Sequence, residues 1–319
     1  MREGGTLGKI FSKFSKQCWS FETSATHRFS MVLNPNMIKK FKIKQSDFFE
    51  EHYARFDKLT SEKIPFKSID KYFSSHFINK NNLKKYLKES PDAAIFAKQL
   101  LKERIELKQL HFALNEVELS SLSYPPIKYY QEKYGYNKLC NELGVISKYD
   151  YSQKTFSYKQ DKLTIICDTR EQKPLKFLGH NIINTRLNFG DYSVLGRENI
   201  LAIERKSLQD LIGSAISGYE RFYKEFQRVK DAGAYLVVVI EENLNTCLNY
   251  DLIPYIRKYS KISPGVLFHN IRELIQNFPC QFIFCAGRKD ASETIIKLFN
   301  AEVDIRVCDL QYFKNMGLI

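Results

Sequence analysis

Leu163-Thr164-Ile165-Ile166-Cys167-Asp168-Thr169-Arg170-Glu171, then Gly190-Asp191, then Ile200-Leu201-Ala202-Ile203-Glu204-Arg205-Lys206-Ser207 is the stretch that decides the fold. Its apolar runs are short and rich in β-branched residues, which reads as strands, and acidic residues gather where the runs end. Alternation along a strand sets Glu204 and Lys206 on one face and Arg205 on the other. Asp168 closes its run, and Glu171 follows on the turn leaving it. Gly190 lets the backbone bend ahead of Asp191, so that this carboxylate turns inward. Crowded carboxylates repel one another unless a divalent cation neutralises them, and their hard oxygens suit Mg²⁺. A neighbouring lysine offsets charge on a phosphate or orients a water. Together these residue types suit metal-dependent phosphodiester hydrolysis. Singly, each has a plainer reading: Asp168 as a turn residue paired with Arg170, Gly190-Asp191 as a turn dipeptide, residues 204–206 as a solvated strand end. Ser207 with Asp210 is a near capping box, so Asp210 is divided between supporting the next helix and standing near a metal.

Outward from that stretch, strands are expected at 163–167, 181–187, 191–194, 200–204, 235–240 and 281–285. Helices are expected at 208–217, 220–232, 264–277 and 291–299. Strands alternating with helices and returning in parallel give an α/β sheet covered on both faces. Residues 162–319 are expected to form this domain, 146–161 a polar linker, and 1–145 a mainly helical basic region. In that region 47–56 and 93–116 carry apolar residues at helical spacing, punctuated by Pro35, Pro65, Pro91 and Pro125-Pro126.

The chain of 319 residues carries a net charge of +13. Residues 1–160 hold 28 Lys and Arg against 17 Asp and Glu, whereas 161–319 hold 21 against 19. The excess favours a polyanionic partner, with the first half supplying most of the non-specific attraction. No apolar run approaches the ~18 residues of a membrane span, so no membrane partner is expected. Seven cysteines without a C-x-x-C pair show no disulfide or zinc framework. That points to an intracellular, reducing compartment rather than secretion. The first twenty residues have no apolar core, so no secretory signal is expected; a transit peptide is not expected either, and Met31 or Met37 is an alternative start.

Residues 124–145, YPPIKYYQEKYGYNKLCNELGV, read as a helix, a turn at Gly135, and a second helix ending at Gly144. Tyr129, Tyr130, Lys133, Tyr134, Tyr136 and Lys138 interleave rings with cations, as a nucleic-acid surface does, unless several of the tyrosines are core. The segment resembles the small helical repeat that accompanies homing endonucleases, with a weaker echo at Ile64-Pro65-Phe66.

I-I-C-D-T-R-E, N-F-G-D-Y and A-I-E-R-K-S-L-Q-D-L-I-G-S, in that order, resemble the XPF-type (ERCC4-domain) nuclease domain, whose signature is G-D-x(n)-E-R-K-x(3)-D. The resemblance covers roughly 163–300, through Ser217-Gly218, Arg221-Phe222, Glu225 and the strand Leu236–Glu241. It implies a restriction-endonuclease-like fold, a mixed central sheet flanked by helices, and Mg²⁺- or Mn²⁺-dependent cleavage of branched, flapped or forked DNA in repair or recombination. Carried over by position, Asp168, Glu171, Asp191, Glu204, Lys206 and Asp210 form the site. Asp191 and Glu204, with Asp168, are then the metal ligands, joined by the Arg205 carbonyl. Arg205, Arg221, Lys133, Lys138 and Tyr134 are the expected DNA contacts. The family's Gly-Arg pair stands here as Gly218-Tyr219, with Arg221 two positions later. The tandem helix-hairpin-helix module of many relatives is not expected after the nuclease fold, which leaves DNA targeting to the basic first half. The resemblance also implies a homodimer through 264–299. The alternatives are a sequence-directed endonuclease of homing or restriction type and a non-catalytic DNA-binding assembly subunit.

Overall fold

The computed structural model describes residues 91–122, 124–151, 156–252 and 262–319. The expected helix at 47–56, the echo at 64–66, Pro35, Pro65 and the alternative starts lie outside them. The described residues divide into two units: 91–110 with 122 and 124–125, and His111–Ser121 with Pro126–Ile319.

In the first unit, α1 (Pro91–Lys108) buries Ala97, Leu100, Leu101 and Ile105, whereas Ile95 and Leu107 are exposed. The expected helix of 93–116 stops here. Gln109 adopts a φ of 49° and the Leu110 N–H bonds back to the Ile105 carbonyl, a left-handed stop that closes the last turn.

The second unit opens with the short helices α2 (Glu116–Ser121), α3 (Ile127–Tyr134) and α4 (Tyr136–Glu142). The turn between α3 and α4 is at Gly135, at a φ of 69°, as its sequence position predicts. The hairpin belongs to the sheet-bearing unit rather than to a separate N-terminal region. Tyr129, Tyr130 and Tyr136 are core side chains, and the Tyr136 hydroxyl donates to the Leu114 carbonyl at 2.6 Å. The carboxylate of Glu116 caps α3 by accepting the Ile127 N–H at 2.8 Å, while Asp309 accepts the Glu116 N–H at 2.7 Å. The expected linker is also packed: Tyr149, Tyr151 and Phe156 are buried, and Ile146 bridges Phe112. Its polar composition hid a tyrosine at every other position from 149 to 151, enough to anchor it.

All six expected strands form, within two residues of the expected ends: β1 (Thr164–Asp168), β2 (Asn181–Thr185), β3 (Tyr192–Val194), β4 (Leu201–Lys206), β5 (Tyr235–Ile240) and β6 (Cys280–Phe284). They make one sheet in the order β2-β1-β3-β4-β5-β6. β1–β2, β4–β5 and β5–β6 are parallel, but β3 runs antiparallel to β1 and β4, so the sheet is mixed. β5 and β6 are buried along their whole length because helices cover both faces, whereas the edge strand β2 is exposed throughout.

After β4 come α5 (Leu208–Ile212), running into a wider π turn over Gly213–Ser217, and α6 (Tyr219–Asp231). α7 (Leu244–Leu248), α8 (Pro264–Asn277), α9 (Arg288–Phe299) and α10 (Leu310–Asn315) complete the unit. One face of the sheet, including Ile165, Tyr192, Ile203, Val237 and Ile283, packs with Ile295, Phe299, Leu310 and Phe313 from α9 and α10. On the other face α6 lays Phe226 on Phe282, ring centroids 6.0 Å apart, and α8 lays Phe268 on Phe284 at 5.9 Å. Truncating either phenylalanine of α6 that faces the sheet, Phe222 or Phe226, would cost about 3–5 kcal/mol.

Candidate active site

The end of β4 is where the chemistry gathers. Ile203 belongs to the α9–α10 face of the sheet, so alternation turns Glu204 and Lys206 to the α6 face and Arg205 back beside Ile203.

Gly190 makes the approach of the next carboxylate geometrically possible. Its φ is 72°, and a Cβ there would stand 2.9 Å from the Ile203 carbonyl oxygen and 3.0 Å from the Ala202 Cβ. The close contact lets the Asp191 N–H reach the Ile203 oxygen at 2.7 Å, while the Asp191 carbonyl accepts the Asp168 N–H at 2.8 Å. Asp191 is thus clamped between β1 and β4. Its Oδ2 accepts the Arg205 N–H at 2.8 Å. Lys206 Nζ donates to Glu204 Oε1 at 2.7 Å and lies 5.0 Å over the Phe222 ring of α6. Asp191 Oδ1 and Glu204 Oε2 are left without a hydrogen-bond partner among the described residues. Burial, then the charge of Glu204, pushes the Asp191 carboxyl up to about 8. The Lys206 ammonium is favoured: burial would lower it, but Glu204, with smaller contributions from Glu225 and Asp191, raises it above its ordinary value.

Asp168, expected among the metal ligands, is occupied by the protein itself. One oxygen accepts the Arg170 N–H and Nε, both at 2.7 Å; the other accepts Arg170 Nη2 at 3.0 Å and the Leu187 N–H at 2.6 Å. Against the opposing effect of burial, these donors hold its carboxyl below the usual range. Such a carboxylate is an anchor for the 169–187 segment, with little capacity left for an ion. Glu171 likewise takes Arg205 in a two-point fork at 2.9 and 3.0 Å. Arg205 continues to Glu241 at 3.2 Å, and Glu241 to Arg288 at 2.8 Å. This ladder accounts for Arg205, expected to contact DNA: only 10% of its side chain is exposed, and its fork is filled on the opposite face from Glu204. Asp210 is exposed, and its side chain accepts the Ser207 hydroxyl at 2.7 Å as Ser207 caps α5, so the structure spends it on the helix. Arg221, Lys133 and Lys138 are exposed and Tyr134 is half-buried. Lys133 and Lys138 lie on the hairpin α3–α4, whereas Arg221 is on α6.

Two participants lie within the stretch of resemblance but were not among the expected site residues. Glu225 is on α6 between Phe222 and Phe226, and burial followed by the charge of Glu204 raises its carboxyl to about 7. An acid interrupting an apolar stripe was the legible signal. Glu241, which ends the apolar run of β5, could have been found as Asp168 was, by an acid at a strand end.

Among the described residues no three carboxylate, imidazole or thiol groups converge on one point. Asp191 and Glu204 do offer two hard oxygen atoms beside a surplus of negative charge. That fits Mg²⁺ or Mn²⁺, since Mg²⁺ commonly binds through one or two carboxylates and keeps waters for its other positions.

The solved structures that match the chain include XPF from Aeropyrum pernix, at 20% identity over 43% of this chain and 63% of that one, with a TM-score of 0.34, and XPF from Aeropyrum pernix in complex with DNA, at 18% over 44% and 64%, with a TM-score of 0.33. In both, this chain spans less than two-thirds of the other's length. No curated protein matches the chain. The family model for the ERCC4 domain matches residues 165–298, the span from within β1 to within α9 that holds Asp168, Asp191, Glu204 and Lys206. Residues 165–298 therefore match the ERCC4 domain, the family whose motifs the sequence resembles.

Proposed function

We propose that this protein is a divalent-cation-dependent DNA endonuclease that hydrolyses phosphodiester bonds at branched, flapped or forked DNA in repair or recombination. The observation that carries the reading is the trio beside the end of β4, with Glu204 buried and Asp191 and Lys206 partly so. Asp191 and Glu204 repel one another with one oxygen each unspent, and Lys206 stands charged beside them on the same face.

Asp191 and Glu204 would hold Mg²⁺ or Mn²⁺. When bound, such a cation supplies a Lewis acid that polarises the phosphodiester and eases deprotonation of the attacking water. The chain's own residues supply the rest. Lys206 remains an ammonium, so it acts as a donor to a phosphate oxygen on which charge develops rather than as a base. The Gly190 contact and the Asp168 and Asp191 backbone bonds fix the two carboxylates on a rigid sheet. The Glu171–Arg205–Glu241–Arg288 ladder locks the end of β4 from behind. DNA is the proposed partner. The net charge of +13 supports it, as do exposed Arg221, Lys133 and Lys138. Pairing of two copies through 264–299 has the support of Val266, 45% exposed on α8. A reducing, intracellular compartment accords with six described cysteines that are buried and form no disulfide among the described residues. Among the described residues no helix is long and apolar enough to cross a membrane.

The test is a substrate panel with Mg²⁺ and with Mn²⁺: flap, fork, linear duplex and single-stranded DNA. Branched substrates are expected to be cut, and D191N and E204Q to abolish cutting. Cleavage surviving both substitutions would overturn the assigned site. Cutting of linear duplex at one sequence would move the reading to a sequence-directed enzyme, and binding without cutting would move it to an assembly subunit.

A further inference from the structure

α6 turns Phe222, Phe226 and Val229 to the sheet, and Glu225 interrupts that stripe. A carboxylate in such a place costs free energy unless something in the site requires it. Among the described residues it makes no hydrogen bond or ion pair. The charges it feels are Glu204, Lys206, Arg228 and Arg170. Lys206 Nζ meanwhile lies 5.0 Å over the ring of Phe222, one helical turn before Glu225 and therefore on the same strip of the helix surface.

Lys206 has one strong bond, to Glu204 Oε1 at 2.7 Å. A divalent cation on Glu204 Oε2 would draw charge from the carboxylate that Lys206 holds through Oε1 and would repel the ammonium. The half-buried ammonium cannot be left without a partner at small cost. After Glu204, the carboxylate with the largest influence on Lys206 is Glu225, ahead of Asp191, which the cation would also occupy.

We propose that Glu225 is a positioning residue that receives the Lys206 ammonium when Glu204 turns to a divalent cation, so that one lysine is handed between two carboxylates. This inference rests on the assignment of Asp191 and Glu204 as the cation pair. Glu225 itself is not a ligand. Its service is to release Glu204 and to hold Lys206 within the site, aimed where a phosphate oxygen would be bound.

The experiment is a calorimetric titration of Mn²⁺ into the full chain, without DNA, for the wild type, E225Q, K206M and the double variant. E225Q removes the acceptor, so it is expected to weaken Mn²⁺ binding by about tenfold, a coupling of ordinary size. In the K206M background there is no ammonium to hand over, and E225Q is expected to change the affinity by less than about twofold. An equal loss in both backgrounds would show Glu225 to be a ligand and overturn the handover. No loss in the wild-type background would overturn it also. E225Q should melt no lower than wild type before Mn²⁺ is added; a lower melting point would assign Glu225 a merely structural role. D191N and E204Q run alongside separate the two levels of the argument. If neither weakens Mn²⁺ binding, the cation pair itself is wrong, whatever E225Q does.

Discussion

Replacing Gly190 by alanine tests the contact that brings Asp191 against β4, and its cost can be worked out in two parts. The first is conformational: at a φ of 72° a side chain in the left-handed region costs about 1–2 kcal/mol. The second is steric. The new Cβ would stand 2.9 Å from the Ile203 carbonyl oxygen and 3.0 Å from the Ala202 Cβ, and the first of these is backbone that cannot swing aside. Opening β3 from β4 to relieve it would strain the 2.7 Å bond from the Asp191 N–H to that same oxygen. Overpacking of this kind costs about 1–3 kcal/mol. The expected total is about 2–5 kcal/mol. Gly196 provides the control, because its φ is 83° but nothing lies within 4 Å of an added Cβ. G196A should therefore show the conformational part alone, about 1–2 kcal/mol. Urea unfolding of both variants, with m unchanged, measures the difference. G190A should also weaken Mn²⁺ binding, since Asp191 moves with the backbone, whereas G196A should leave it intact. Equal destabilisation by the two variants would refute the close-approach argument.

Other outcomes follow from the same geometry. Asp191 is raised in the folded state from its ordinary 3.8 to about 8, so the folded protein holds the extra proton across that window and stability falls as pH rises through it. D191N should flatten this decline in the melting temperature, and Mg²⁺ should restore the wild type at pH 8; a wild-type melting point that climbs between pH 5 and 8 without added cation would contradict the placement. R205M leaves Glu171 and Glu241 without their central partner and should cost about 3–5 kcal/mol by urea unfolding. Unchanged stability with weakened DNA affinity would instead return Arg205 to the DNA interface. Removing residues 1–90, which hold 18 Lys and Arg against 9 Asp and Glu, should lower DNA affinity and flatten its salt dependence in filter-binding or anisotropy measurements. An unchanged salt slope would give that segment another task. A cut at residue 150 is a different experiment, because it also removes buried Val117, Leu119, Tyr130 and Tyr136 from the sheet-bearing unit.

The sequence by itself determined the strands, the end of each strand at which acids gather, and the resemblance to the ERCC4 domain that the match over 165–298 bears out. Those properties are local: side-chain alternation at 201–206, the β-branched runs at 164–168 and 235–240, and the fixed order of D-T-R-E, G-D and E-R-K. Alternation alone put Glu204 and Lys206 on one face and Arg205 on the other. Tertiary structure decided how these residues are employed, because each role depends on what arrives from elsewhere in the chain. Asp168 became an anchor only when the Leu187 amide and Arg170 filled it. Arg205 became the centre of an ion-pair ladder only when Glu171, Glu241 and Arg288 met it. Tyr129, Tyr130 and Tyr136 became core once Leu114 and the residues around Asp309 packed near them, and Tyr149, Tyr151 and Phe156 of the expected linker are buried as well. Glu225 came to feel the charge of Glu204 only because α6 crosses that face of the sheet. Spacing in a sequence records which way a side chain points, while its charge and partners depend on contacts closed over twenty to two hundred residues, and no local pattern carries those.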